Sequence, residues 1–442
     1  MQFPACGYGG GMMLATRKVD SMVQFLLFRS RCLRSSGHFG QPRSLEIYRL
    51  HCHQVPRGLP IVGYLPFLGS DIHRTFTHLA GVYGPIYKLW LGSKLCVVLN
   101  SPSLVREVVR DQDTTFADRD SLIASLTISY GGNDIAFSSY GPEWRKLRKI
   151  FVREMLSNAS LDACYALRRE EVKKTIRDVY DKIGTPVKIG ELTLLTVINA
   201  VMSMVWGGTV QGEKGSDIGA KFREVLSEIM VLLAKPNVSD FFPRIARFDV
   251  EGIEKRMKNH LHWCDRIFNS AIDQRRNMDG AIEEGAGKNE ERKDFLQYLL
   301  ELKEREGAAT SITLTQLKAL LMDIVIGGTD TTATMVEWAM AELMMNPEVM
   351  KNVNEELNEV VGLNNTVEEF HLPKLRYLDA VVKEALRLHP AIPLLVPRRP
   401  SQTCNVGGYT VPKGAKIFLM FGLSRGILSF GTIPQNFRQR GS

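Results

Sequence analysis

Three short stretches combine residue types and spacings that could do chemistry. In "IGGTDTT" an acid and two hydroxyls, Asp330, Thr331 and Thr332, follow closely on Gly327 and Gly328. In "YGPEWRKLRKIF" a helix beginning at Pro142 sets Trp144 and Arg148 four apart on one face. An indole N–H and a guanidinium placed so can clamp one carboxylate, although an ordinary amphipathic helix explains the spacing equally well. In "KEALRLHP" Glu384 and Arg387 stand three apart on one helical face; such pairs are common on surfaces and worth little there.

The first stretch is the most unusual, because it interrupts an apolar segment that reads as a helix. Two glycines in a helix interior cost about 1 kcal/mol each relative to alanine. One reading is a kink, with the threonines bonding back to the preceding turn. The other is a groove: small residues make room over a bulky ligand, and Asp330 and Thr331 bring an acid and a hydroxyl beside it.

The element carrying this stretch is predicted to start at a capping box, Thr313 with Gln316, and to run from Leu314 to about Met345. That is roughly 30 residues, or about 45 Å. Ala319 to Ile326 is apolar apart from Asp323, so the helix is expected to be buried nearly all round. "VPRGLPIVGYLPFLG" (55–69) reads as a rigid aperiodic loop. "IYKLWLGSKLCVVL" (86–99) reads as two strands around Gly92-Ser93, and "VGGYTVPKGAKIFL" as a hairpin. Helical patterns dominate from 101 to 400. The charged stretch 276–294 reads as surface loop. The fold class is mainly α, with a minor β sheet built from both ends of the chain.

The 442 residues carry a net charge of +8, mild for this size, which does not argue for nucleic acid. It suits an acidic partner or an anionic membrane surface. Seven scattered cysteines show neither a disulfide framework nor metal-ligand spacing. No segment reads as a transmembrane helix; "MVQFLLF" (22–28) is far short of the roughly 20 residues needed. Residues 1–50 hold seven Lys/Arg against Asp20 and Glu46, the composition of a transit peptide.

Together, and in this order, the three stretches resemble the cytochrome P450 family, most closely the plant microsomal monooxygenases. The resemblance runs from about Pro56 to Leu419 and includes the proline-rich hinge and "LLVPRRPSQTCNVGGYTVPKGAKIF". It implies the P450 fold, C-terminally truncated: a domain over 56–419 lacking its haem-cysteine part, a non-family segment over 1–55 and a non-family tail over 420–442. It further implies haem b as cofactor, bound by Trp144 and Arg148 at one propionate and by Arg398 at the other. Gly327 and Gly328 would leave room above the iron, and Asp330 and Thr331 would relay protons to dioxygen. Glu384 and Arg387 would be structural. The implied partners are NADPH–cytochrome P450 reductase, O2 and a small lipophilic substrate, with no nucleic acid. The implied state is a monomer at the endoplasmic reticulum membrane. The basic run Arg145, Lys146, Arg148 and Lys149 fits an acidic reductase, or simply a solvated helix face. The segments 121–133 and 319–327, candidate pocket walls, indicate only a small, apolar substrate.

The sequence departs from the family where the iron would be held. A cysteine thiolate is expected there, yet the Phe-x-x-Gly-x-Arg-x-Cys-x-Gly signature is absent. The last cysteine, Cys404, lies in the hairpin, so no metal ligand is assigned. After Leu419 the chain reads "MFGLSRGILSFGTIPQNFRQRGS". Back-translated and read one nucleotide earlier, that tail permits Val-Trp-Ala-Ile-Gln-Arg-Asp-Pro and ends on Pro-Glu-Arg-Phe, as the family does. "HCHQV" (51–55), shifted likewise, permits Pro-Leu-Pro-Pro-Gly and restores the hinge. Three readings follow: a frame-disrupted monooxygenase inactive as written, an intact enzyme obscured by errors at the ends, or a non-catalytic remnant that binds ligand or reductase.

Overall fold

The computed structural model describes residues 55–69, 71–207, 215–283, 294–305 and 311–420. The expectations for residues 1–54 and 421–442 lie outside the described residues. The chain divides into two units. One holds the described residues through Asp120, with Phe241–Arg244 and those from Ile392 onward; the other holds Ser121–Asp240 and Ile245–Ala391.

The first unit carries the sheet. The strands β1 (Ile86–Leu91) and β2 (Lys94–Leu99) form the expected antiparallel pair, with Ile86 opposite Leu99. Their turn needs Gly92, whose φ is +57° and whose missing Cβ would lie 2.9 Å from Phe241. The two-residue strands β3 (Asp118–Arg119) and β4 (Arg398–Arg399) and the strand β7 (Lys416–Leu419) complete a five-stranded sheet of order β1-β2-β7-β4-β3. The strand β7 runs parallel to β2. Both ends of the described chain therefore build one sheet, as expected. The hairpin of β5 (Cys404–Val406) and β6 (Tyr409–Val411) stands apart as a second sheet. The helix α1 (Ile72–Tyr83) buries Phe76, Leu79 and Ala80 against β1, β2 and β7 residues.

Lys416 is an unexpected core residue. It is 4% exposed, lies 3.2 Å from Asp120, and sits over the rings of Phe241 and Phe418. Asp120 also pairs with Lys94 at 2.8 Å. Burial alone would raise the Asp120 carboxyl, but Lys416 and Lys94 outweigh it and hold the pKa below the usual carboxylate value.

The second unit is helical. Its principal helices are α2 (Ile123–Ile128), α3 (Pro142–Ile150), α4 (Tyr165–Tyr180), α5 (Ile189–Trp206), α6 (Gly215–Ala234), α7 (Ile253–Glu283) and α8 (Phe295–Glu304). They are followed by α9 (Leu314–Gly328), α10 (Asp330–Met345), α11 (Pro347–Val360) and α12 (Arg376–Leu388). The predicted capping box is present: Thr313 Oγ1 accepts from the Gln316 N–H, and Gln316 Oε1 accepts from the Thr313 N–H, each at 3.1 Å. Leu317, Ala319, Leu320, Leu321, Met322, Ile324 and Val325 are buried, so α9 is enclosed nearly all round, as its composition requires.

Three local expectations change. The long helix is not continuous; it breaks at Thr329 (φ −98°, ψ −70°). The stretch from 276 to Glu283 is not loop but the last turns of α7, because extending an established helix needs no new nucleus and so tolerates its weak formers. Two segments, Ile189–Trp206 and Leu314–Met345, are long and apolar enough to cross a membrane by length and composition. Both contribute to the buried cluster of this unit, which accounts for their apolarity.

Candidate functional site

The break between α9 and α10 is built from the glycines and threonines. Thr329 donates its hydroxyl to the Val325 carbonyl at 2.6 Å. Thr331 donates to Gly327 O at 2.7 Å, and Thr332 to Gly328 O at 3.0 Å. Hydroxyls bonded to the carbonyl four residues back bend a helix, so the kink reading holds. The space is also present. A Cβ on Gly327 would meet nothing within 4 Å, and one on Gly328 would meet only Val201 Cγ2, at 3.7 Å. The kink is thus present, and the exposed Gly327 leaves open space beside it, a surface notch.

Asp330 stands at the first turn of α10 beside this notch. Burial raises its pKa above the usual carboxylate value, and no opposing cation contributes. A carboxyl so raised keeps its proton more readily and can pass it on. The Thr331 hydroxyl spends its proton on Gly327 O and leaves its oxygen able to accept one. An acid with a raised pKa and a hydroxyl able to accept a hydrogen bond thus stand on adjacent residues.

The α3 residues are arranged otherwise than a simple anion clamp. Pro142 opens the helix as predicted. The half-buried Trp144 donates its indole N–H to the Ile135 carbonyl at 3.0 Å and packs against Tyr140, centroid to centroid 5.3 Å. Arg148 is exposed. In the basic run, Lys146 pairs with Glu143 at 2.6 Å and Arg145 lies over the Tyr140 ring, leaving Arg148 and Lys149 exposed. A cavity of about 190 Å³ beside α3 is lined in part by Asp134, Ser138, Glu143, Trp144 and Gln316. That is smaller than the roughly 300–1,000 Å³ of an ordinary small-molecule site.

Arg398 belongs to the sheet unit, where it donates to Asp113 Oδ1 at 2.8 Å and to Phe116 O at 3.4 Å. Glu384 and Arg387 form the expected pair, bidentate at 2.7 and 2.8 Å, and both are partly exposed. Trp338 stacks on His389 with ring centroids 3.8 Å apart, and His389 meets Glu342 at 2.7 Å, an arrangement the motifs did not reveal.

A haem held by a thiolate needs a cysteine whose surroundings favour the anion. The described cysteines are Cys96, Cys164, Cys264 and Cys404. Burial pushes Cys96 and Cys264 up to about 12. Burial, helped by Glu107, also raises Cys404, whose Sγ lies 3.9 Å from Val411 O inside the β5–β6 hairpin. Cys164 sits in the link before α4, among none of the motif residues. The described donor set does not fit a thiolate-bound haem.

Asp134 and Asp323 come together between the segment before α3 and the middle of α9: Asp323 Oδ2 accepts from the N–H of Ile135, the residue after Asp134, at 2.7 Å, and Asp134 Oδ1 is buried without a hydrogen-bond partner. The only sequence signal was an acid in the otherwise apolar run Ala319 to Ile326.

Comparison with known proteins gives a family model described as "Cytochrome P450", which matches residues 54–424. A flavonoid 3'-monooxygenase of Oryza sativa subsp. japonica is 36% identical over 368 residues, covering 82% of this chain and 70% of that protein. A carnosic acid synthase of Salvia pomifera is 34% identical over 369 residues, covering 82% of this chain and 72% of its own length. A solved zebra fish cytochrome P450 structure with progesterone aligns with a TM-score of 0.66 at 24% identity. That alignment covers 79% of this chain and 78% of the other, and it carries the fold alone.

Proposed function

The chain belongs to the cytochrome P450 family of haem-dependent monooxygenases, and on that premise we propose a reaction for its lineage and a limit for this chain. The reaction is insertion of one atom of O2 into a small lipophilic metabolite, at the endoplasmic reticulum membrane, with electrons from an NADPH–cytochrome P450 reductase. The limit is that the chain, with its described residues as they stand, does not carry the reaction out.

The observation that carries the lineage reading is the notch at Thr329. In the family, haem supplies the activation of dioxygen. This chain's residues would do the rest: Gly327 and Gly328 would leave the space, Asp330, its carboxyl raised by burial, would give up a proton, and the Thr331 hydroxyl would hand it on by exchanging its bond to Gly327 O. Trp144, Arg148 and Arg398 are the candidate propionate partners. In their present positions the indole is committed to Ile135 and Arg398 to Asp113, while Arg148 is free to turn. The Glu384–Arg387 pair is a structural brace. The reading of a small-molecule substrate is supported by the two relatives, one named for a flavonoid and one for carnosic acid.

The limit rests on the thiols. Burial disfavours the thiolate at Cys96, Cys264 and Cys404, and Cys164 lies in the link before α4 away from the motif residues, so none of the four is placed as the lineage's electron-donating axial sulfur. The test is a reduced carbonyl difference spectrum of the 442-residue chain after addition of haem. We expect no Soret band of the thiolate-ligated type. Appearance of that band would overturn the limit and assign the sulfur to one of the cysteines present.

A further inference from the structure

We infer that Asp134 and Asp323 share one proton across a carboxyl–carboxylate hydrogen bond, and that this proton fastens residues 134–138 to α9 and, through the Ile135 peptide, positions the Trp144 indole.

The geometry leaves a gap that one proton fills. Asp134 is 1% exposed. Its Oδ2 accepts from the Phe137 N–H at 3.0 Å, and its Oδ1 is buried with no hydrogen-bond partner. Asp323 Oδ2 accepts from the Ile135 N–H at 2.7 Å, and the Ala136 N–H also donates to this carboxyl. A proton on Asp323, donated to Asp134 Oδ1, satisfies every oxygen that the backbone leaves over. An orphan buried oxygen would cost about 1–3 kcal/mol.

Of the charged groups on the packed elements, Arg148 and Lys149 of α3 are exposed, and the others nearby are engaged elsewhere. Lys318 of α9 pairs with Asp265 of α7 at 3.1 Å, and Tyr130 donates to the same carboxylate at 2.7 Å. Glu143 of α3 pairs with Lys146 and accepts from Gln316. Among the described residues no cation is paired with either member, so nothing but a proton can remove the repulsion of two adjacent carboxylates. Burial raises Asp134 to about 6. Burial, with the charge of Asp134 added, raises Asp323 well above the usual range. The pair therefore keeps one proton to a higher pH than a lone carboxyl would.

The Ile135 peptide is the lever. Its N–H is held by Asp323 and its C=O holds the Trp144 indole. When the shared proton leaves for solvent, two carboxylates face each other in a dry site and the segment detaches. Both folded pKa values lie above the unfolded one. The stability that the pair supplies is thus complete below pH about 4 and is lost as the pH climbs through the folded values.

The test uses the full chain and infrared difference spectra in the protonated-carboxyl stretch, followed against pH, with tryptophan fluorescence in parallel. A protonated-carboxyl band should persist at neutral pH and vanish on alkalinisation, together with a fluorescence step that Trp144→Phe abolishes. In Asp323→Asn the amide still donates to Asp134, so the fold should survive with both band and step gone. If that variant does not fold, Asp134→Asn serves. With the repulsion removed, the remaining carboxyl should lose its proton at lower pH. A folded chain with no such band at neutral pH, or a band unmoved by both substitutions, overturns the inference. So does a fluorescence step that survives in Trp144→Phe.

Discussion

Replacing glycine by alanine at the notch should stabilise the protein, and the same substitution in the β1–β2 turn should do the opposite. Gly327 and Gly328 lie at the C-terminal end of α9 and neither has positive φ. Alanine is worth about 1 kcal/mol over glycine in such positions, mostly through the unfolded chain. No collision offsets the gain at Gly327, where the new methyl faces open space, and at Gly328 the 3.7 Å approach to Val201 Cγ2 is ordinary contact. Each single variant should therefore gain about 1 kcal/mol, roughly a fivefold shift toward the folded state. Gly92→Ala is the contrast. Its φ of +57° and the 2.9 Å approach to Phe241 should cost more than about 1 kcal/mol. Urea unfolding followed by circular dichroism reads these as shifts of midpoint at constant slope. A loss of stability in Gly327→Ala would refute the reasoning, because it would mean that the notch is filled. A gain would show that the helix forgoes available stability to keep this space open, the usual trade at a functional site.

Asp120→Asn should destabilise the sheet unit by about 3 kcal/mol, since it leaves Lys416 buried without its counter-charge. The depressed Asp120 pKa means that its contribution is full above the unfolded value of about 4 and fades as pH falls through the folded one. An acid-unfolding limb equally steep in wild type and variant would contradict this. Thr313→Ala should cost about 1 kcal/mol through loss of the cap on α9, while Thr313→Ser should be nearly neutral. Equal losses in the two variants, read by thermal melting, would show that the methyl group and not the hydroxyl matters.

What the sequence determined by itself is local or short-range. Thr313 and Gln316 lie within one helical turn, so their box is encoded in four residues, and the helix start follows. The turn at Gly92 with alternating apolar residues on both sides likewise specifies β1 and β2. The order of the three motifs carried the family, since each marks a backbone feature whose cause lies in its own residues. Tertiary structure decided the rest. Whether Gly-Gly-Thr-Asp-Thr-Thr makes a kink or a groove was open in sequence; the hydroxyl bonds make the kink, while Gly327 is exposed and faces open space. Trp144 is directed to Ile135, and not toward Arg148's exposed side, by a backbone segment nine residues earlier. Asp323 looked like a lone polar defect in an apolar helix until packing brought Asp134 against it from a distant part of the chain. Helix periodicity and capping are properties of neighbouring residues. The partner of a buried charge is set by which distant backbone the core packs against it, and no local pattern encodes that.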